Sequence, residues 1–152
     1  MGVEEKLKEL GLELPPPATP MANYVPAVRS GNLVFLSGHG PVEKDRIIRG
    51  KVGRDLTVEE GYQAARIVAI GLLGSLKGVV GNLDKVRRIV KLLGMVNCGP
   101  DFTEQPQVVN GASDLMVEVF GEKGRHARSA VGMNALPVDI AVEIEMIAEV
   151  ED

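Results

Sequence analysis

The chain has one cysteine, no tryptophan, two tyrosines, three phenylalanines and two histidines in 152 residues. A single thiol, Cys98, cannot close an intramolecular disulfide. No basic-apolar-small signal pattern opens the sequence either, so a reducing cytoplasm is the expected compartment. His39 and His126 show none of the paired spacings of a metal site, neither H-E-x-x-H nor paired C-x-x-C, so no metal is expected. Both read as loop histidines at turn edges. Cys98 reads as a packed thiol, because no basic residue stands beside it to lower its pKa. With 3% aromatic residues and a net charge of -4, the chain offers little to stack bases on and no global attraction for a phosphate backbone, which argues against nucleic acid as a partner. A basic stripe of Arg87, Arg88 and Lys91 would be split by alternation along one strand. The longest uncharged apolar run, residues 67–76, is shorter than the roughly 20 residues of a membrane-spanning helix and reads as a buried helix segment. "GVVGN" and "GHGP" lack the glycine and lysine pattern of a phosphate loop.

What is present fits an ordinary globular domain, 45% hydrophobic and 25% charged. Val3, Leu7 and Leu10 recur at helical spacing before Gly11 and Pro15–Pro17, predicting a short amphipathic helix on a stiff linker over residues 1–19, a flap over the domain that follows at 20–152. Residues 24–28 and 33–37 flank "RSGN" and predict a β-hairpin. A third strand is expected around 47–52. "TVEE" supplies a capping box, Thr57 with Glu60, for a long helix reaching Val79. Its glycines 61, 71, 74 and 78 suggest close packing against a sheet. A strand at 86–96, a loop bracketed by Pro100 and Pro106, a helix at 108–120, and strands at 127–134 and 140–150 complete a β-β-β-α-β-α-β-β order. This is an α+β fold with two helices on one sheet face. The other face, bearing Ile147, needs a cover, and self-association is the common one.

The last strand alternates strictly, and Arg128 lies fifteen positions before its Glu143. From these residues alone, Arg128 serves equally well as an ion-pair partner for Glu143 or Glu145, and Glu143 as one of several glutamates on a solvated strand face. The ordered set "YVPAVRSGNLVFLSGHGP", "VNCGPDF" and "ARSAVGMNALPVDIAVEIEMIA" resembles the successive signatures of the YjgF/RidA family, enamine/imine deaminases also described as endoribonuclease L-PSP-like proteins, here in a longer, divergent branch. The likeness spans roughly residues 20–150.

That resemblance implies a bacillus-type chorismate-mutase-like mixed sheet with two helices on one face, assembled as a homotrimer with sites in the clefts between subunits. It implies hydrolysis of 2-aminoacrylate and related enamines or imines to a 2-keto acid and ammonia, without metal or organic cofactor. Arg128 matches the arginine that grips the substrate carboxylate, a task suited to its planar fork of donors. Glu143 matches the glutamate that positions water. Tyr24 and Ser37 match cleft residues, and Asn110 is a looser match, one residue out of register. Ala130 stands where many deaminases carry cysteine, which leaves its backbone carbonyl to help hold the water. The helix after Thr57 departs from the family's polar pattern. Two other readings stay open: a non-catalytic or chaperone-like trimer that binds small carboxylates in the same cleft, and a ribonuclease.

Overall fold

In the computed structural model, which describes residues 2–19 and 22–152, one five-stranded mixed sheet carries two long helices on one face. The strands are β1 (Ala27–Ser30), β2 (Leu33–His39), β5 (Val86–Asn97), β6 (Ala127–Met133) and β7 (Val142–Val150). Their spatial order is β1-β2-β7-β5-β6, antiparallel throughout except for the parallel β5–β6 pair at one edge. The expected start of the main domain at residue 20 lies outside the described residues.

The hairpin forms where "RSGN" predicted it, with Gly31 at φ 61° in the turn. Its first strand starts three residues later than expected, and Pro26, which has no N–H to donate to a ladder, ends the irregular approach. Helix α2 (Val58–Val80) opens with the predicted capping box: the Glu60 N–H donates to Thr57 Oγ1 at 3.1 Å, and the Thr57 N–H donates to Glu60 Oε1 at 3.0 Å. Such a cap contributes about 1 kcal/mol. By length and composition α2 could cross a membrane, but more than half of its most apolar window is buried in the protein's own core. Helix α3 (Gln105–Phe120) begins earlier than the sequence suggests. Pro106 lies in its first turn, where the missing N–H has no role, and so initiates the helix instead of bounding a loop.

The expected third strand at 47–52 does not join the sheet. Val42–Glu43 (β3) and Arg46–Ile47 (β4) form a separate two-residue hairpin, and the chain then crosses the sheet's end through isolated bridges from Arg49 to Ile140 and from Val52 to Cys98. The cause is local: Gly50 adopts φ 118°, its N–H donating to the Asp139 carbonyl at 2.9 Å, and Gly53 adopts φ 93°. Two left-handed residues so close together break strand continuity. The final strand likewise starts at Val142 and not at residue 140, because Pro137–Asp139 coil into a 3-10 turn.

The core lies between sheet and helices, built on Val34, Leu36, Ile89, Leu92, Val96, Ile144, Met146 and Ala148 from the strands and on Ala65, Val68, Leu72, Leu76, Val109, Ala112, Leu115 and Met116 from the helices. The two helices touch backbone to backbone at Gly111, where a Cβ would overlap the Tyr62 carbonyl oxygen. Beside that contact the Tyr62 hydroxyl donates to Asp114 Oδ2 at 2.7 Å, which pushes the phenol up to about 12, and Arg66 faces Glu118 at 3.4 Å.

The glycines of α2 correct another expectation. Gly74 and Gly78 approach the N-terminal segment and not the sheet: a Cβ at either position would overlap Pro15 or Pro17. Helix α1 (Val3–Glu9) buries Leu7, and Leu12 and Leu14 pack along the same surface, while Lys77 Nζ meets Glu4 at 3.1 Å. Gly111→Ala is expected to destabilise the chain by about 1–3 kcal/mol through overpacking at a site that can only relax by separating two helices; thermal unfolding compared with Gly99→Ala, where nothing lies within 4 Å, measures it.

Candidate functional site

Strand pairing decides which residues can meet. Directly paired residues share a sheet face, and Arg128 pairs with the fully buried Leu92, so its side chain leaves β6 on the helix side. Glu143 pairs with Met95, of opposite parity on β5, and therefore faces the uncovered side. The two residues expected to act together stand on opposite faces of one sheet, with β5 between their strands. The ion pair from Arg128 to Glu143 or Glu145 does not form, and among the described residues Arg128 makes no salt bridge.

On the helix side, the Arg128 guanidinium lies against α3. Its Nη1 donates to Ser113 Oγ at 3.0 Å and its Nη2 to the Pro106 carbonyl at 3.4 Å. Both acceptors are neutral, so the positive charge is oriented without being neutralised. It borders an open groove of about 600 Å³ lined also by Asn110, Ser113, Asp114, Arg125 and His126. Asn110, the loosest of the sequence matches, is thereby placed with Arg128. His126 is no simple loop histidine: Nδ1 lies 2.6 Å from the Gly124 carbonyl and Nε2 2.9 Å from Ser113 Oγ. Burial first, and the Arg128 charge in addition, hold its pKa below the ordinary value against the opposing Gly124 bond. Ala130, two residues on from Arg128, shares the helix side and is partly buried.

On the uncovered side, Glu143 extends over Gly38, where any Cβ would overlap its carboxylate. A bulge in the β2–β7 pairing between Leu36 and His39 brings Ser37 and Gly38 to that spot. Ser37 Oγ donates to the Val25 carbonyl at 2.7 Å, fastening the strand approach that carries Tyr24, itself about half exposed. Ser37 and Glu143 thus belong to one face and Arg128, Asn110 and Ala130 to the other, while Tyr24 lies on the irregular approach that Ser37 fastens. The Glu143 carboxyl is half-buried, and burial, with a smaller contribution from Glu145, raises its pKa above the ordinary carboxylate value. A proton-exchanging role suits such a group.

The surroundings of Glu143 are apolar for a solvent face. Val28 is 53% exposed, Phe35 43%, Val131 39% and Leu33 37%, with Ile147 half-buried between them. Two bulges in β5 place Arg88 opposite Glu149 and Lys91 opposite Ile147, so these cations share this face instead of alternating, yet Glu149 lies across from Arg88 and no basic stripe results. His39 departs from expectation too. It is buried, with Nδ1 2.6 Å from the Ser37 carbonyl and Nε2 2.8 Å from Ser75 Oγ, which also receives the Ala18 N–H at 3.2 Å. Cys98 is buried, as a packed thiol should be. Ser113 and His126 are the groove residues joined to Arg128 by hydrogen bonds that sequence reading did not assign to a site. Their signals were position alone: Ser113 one turn after Asn110 on α3, and His126 two residues before Arg128.

A family model described as "YjgF/chorismate mutase-like, putative endoribonuclease" matches residues 4–150, the N-terminal helix included. Protein TCP17 of Trypanosoma cruzi is 45% identical over 152 residues, covering 99% of this chain and 95% of that protein. Among solved structures, the protein Atu1372 of unknown function from Agrobacterium tumefaciens superposes with a TM-score of 0.91 at 47% identity, covering 98% of this chain and 92% of that one. One described as a putative endoribonuclease from Shewanella oneidensis superposes at 0.95 with 34% identity, covering 99% of this chain and 100% of that one.

The raised pKa of Glu143 has a definite sign for stability. Folding favours its protonated form, so its contribution is present below the ordinary value of 4.5 and is lost as pH rises through the raised folded value. Glu143→Gln, which carries no charge at any pH, should unfold at a higher temperature than the native chain at neutral pH, with the two converging in acid; thermal melts across pH would show the reverse order if the carboxylate were stabilised.

Proposed function

This chain belongs to the YjgF/chorismate mutase-like family, and from that membership we propose that it hydrolyses small 2-enamine or 2-imine acids of the 2-aminoacrylate type at clefts between the subunits of a homotrimer. The observation that carries the reading is the division of the site: an arginine on the β6 edge held by neutral acceptors, and a half-buried glutamate on an apolar sheet face that no other described residue covers. One chain cannot bring these to one small molecule. Apposing the uncovered face of one subunit to the β6–α3 edge of a neighbour would do so, while burying Val28, Leu33, Phe35 and Ile147.

Arg128 receives the substrate carboxylate with the donors not used by Ser113 and Pro106. Asn110 and Ala130 line the same half, while Tyr24 and Ser37 form the opposite wall with Gly38 beneath Glu143. A 2-enamine first takes a proton at C3 and gives one up from its amino nitrogen, becoming the 2-imine. Water held by Glu143 then adds to C2, the new C–O bond forming as the C=N π electrons pass to nitrogen. Glu143 passes a proton from that water to the nitrogen, giving a carbinolamine; it then takes the remaining hydroxyl proton and passes that to the nitrogen too, and as the oxygen lone pair forms the C=O bond the C–N bond breaks and ammonia leaves with a 2-keto acid. A carboxyl of raised pKa exchanges that proton more readily near neutrality than an ordinary one. All of these groups come from the protein itself, and the proposed reaction calls on no metal or organic cofactor.

The same cleft without turnover is a carrier of small carboxylates, the second reading, supported by the alanine at position 130. A ribonuclease is the weaker alternative, since the net charge is -4 and Glu143, Glu145 and Glu149 share the uncovered face. The proposed setting is a cytoplasmic one.

Two measurements test this. The rate of 2-keto acid formation from 2-aminoacrylate generated in situ should rise above background with the native protein and fall by about a hundredfold or more in folded Arg128→Ala; binding of a 2-keto acid without acceleration favours the carrier. Sedimentation should give about three times the 16.2 kDa chain mass, and Phe35→Glu should dissociate the assembly; a monomeric native protein would leave the two half-sites apart and sink the proposal.

A further inference from the structure

Arg128 does not stand alone in its groove, and the directions of its hydrogen bonds are dictated from both ends. The Gly124 carbonyl can only accept, so His126 Nδ1 carries the proton of a neutral ring and Nε2 is an acceptor. Ser113 therefore donates its hydroxyl proton to Nε2, and its oxygen is left to accept from Arg128 Nη1, which can only donate. The chain Arg128–Ser113–His126–Gly124 has one self-consistent arrangement, tying β6 to α3 and to the 3-10 turn (Gly121–Gly124) between them.

The geometry points to Ser113 and His126 as positioning residues that aim the Arg128 guanidinium at a ligand carboxylate and adjust its grip with pH. This rests on the carboxylate-binding role proposed for Arg128. With His126 neutral, Ser113 keeps Nη1 turned to α3 and leaves the remaining guanidinium donors for the groove. Protonation of Nε2 reverses one bond: the imidazolium N–H donates to Ser113 Oγ, and the serine proton, displaced from its partner, turns to the groove. A second positive charge and an additional donor then stand beside Arg128, so carboxylate affinity rises as pH falls through the pKa of His126. The charged and titratable groups around this pair are Arg125 and Arg128 beside it in sequence, Asp114 and Glu118 from α3, and Tyr62 and Arg66 of α2, which are already engaged with Asp114 and Glu118. From β5, Arg88 Nη2 reaches the Arg125 carbonyl at 3.5 Å.

The test is calorimetric titration of the full chain with pyruvate from about pH 8 down to about pH 5, a window that runs from above the ordinary histidine range to below it, the side toward which burial moves His126. In native protein affinity should rise about three- to tenfold toward the acid end, and His126→Phe should flatten that rise. Glu143 also titrates upward of its ordinary range, but it is common to both proteins and cancels in the comparison. At neutral pH, Ser113→Ala should weaken pyruvate binding about tenfold and Ser113→Thr, which keeps the hydroxyl, should restore it to within about twofold. Where turnover is measured, the Ser113→Ala loss should appear in KM and not in kcat, as for a group that holds ground state and transition state alike. Identical pH profiles for native and His126→Phe, or unchanged binding in Ser113→Ala, overturn the inference while Arg128→Ala still abolishes binding. Undiminished binding in Arg128→Ala overturns the carboxylate grip itself, and the inference with it.

Discussion

The central strand β7 is hydrogen-bonded on both sides, to β2 and to β5, and its alternation sorts the whole molecule. Val142, Ile144, Met146, Ala148 and Val150 are all directed at α2 and α3 and are buried, so Glu143, Glu145, Ile147 and Glu149 have no choice but the other face. A register slip of one residue would put three carboxylates into the core, which is why the register is strongly specified. The same pairing carries Phe35 and Leu33 to the uncovered face opposite Ile147 and Glu149. One constraint thus produces the core, the apolar outer face and the seat of Glu143.

The same small device occurs twice. In each, a histidine Nδ1 donates to the carbonyl two residues before it, and a serine from a helix donates to Nε2. On the uncovered side His39 and Ser75 connect the Ser37 carbonyl to the Ala18 N–H of the N-terminal segment. On the helix side His126 and Ser113 connect the Gly124 carbonyl to Arg128. Burial keeps both imidazoles neutral, which preserves the direction of each chain. The N-terminal segment is therefore more than a cover for α2: its backbone completes the hydrogen bonding behind the Ser37 bulge.

Some elements could be read directly from the sequence and others could not. The capping box at Thr57, the hairpin at Gly31 and the alternation of β7 are local patterns, and each appears where its residues predicted. The strand expected at 47–52 failed because β-branched residues there are overridden by Gly50 and Gly53 at positive φ, the first hydrogen-bonded to the distant Asp139 carbonyl and the second to Leu56 in a local turn. Gly74 and Gly78 of α2 mark a close approach, but their partner, the proline segment, is more than fifty residues away in the chain. Arg88 and Lys91 share a face because of two bulges that no period-two pattern reveals.

By itself the sequence determined the class of the fold, the alternation that builds its core and the family likeness, since all of these depend on residue types at short spacings. Only the tertiary structure decided that Arg128 and Glu143 lie on opposite faces of one sheet, that Arg128 and His126 both hydrogen-bond to Ser113, and that Gly38 leaves room for the Glu143 carboxylate. The reason is that a strand's own pattern says which side chains share a face but not which face, and that choice is made by the order in which β1, β2, β7, β5 and β6 pair across long stretches of chain.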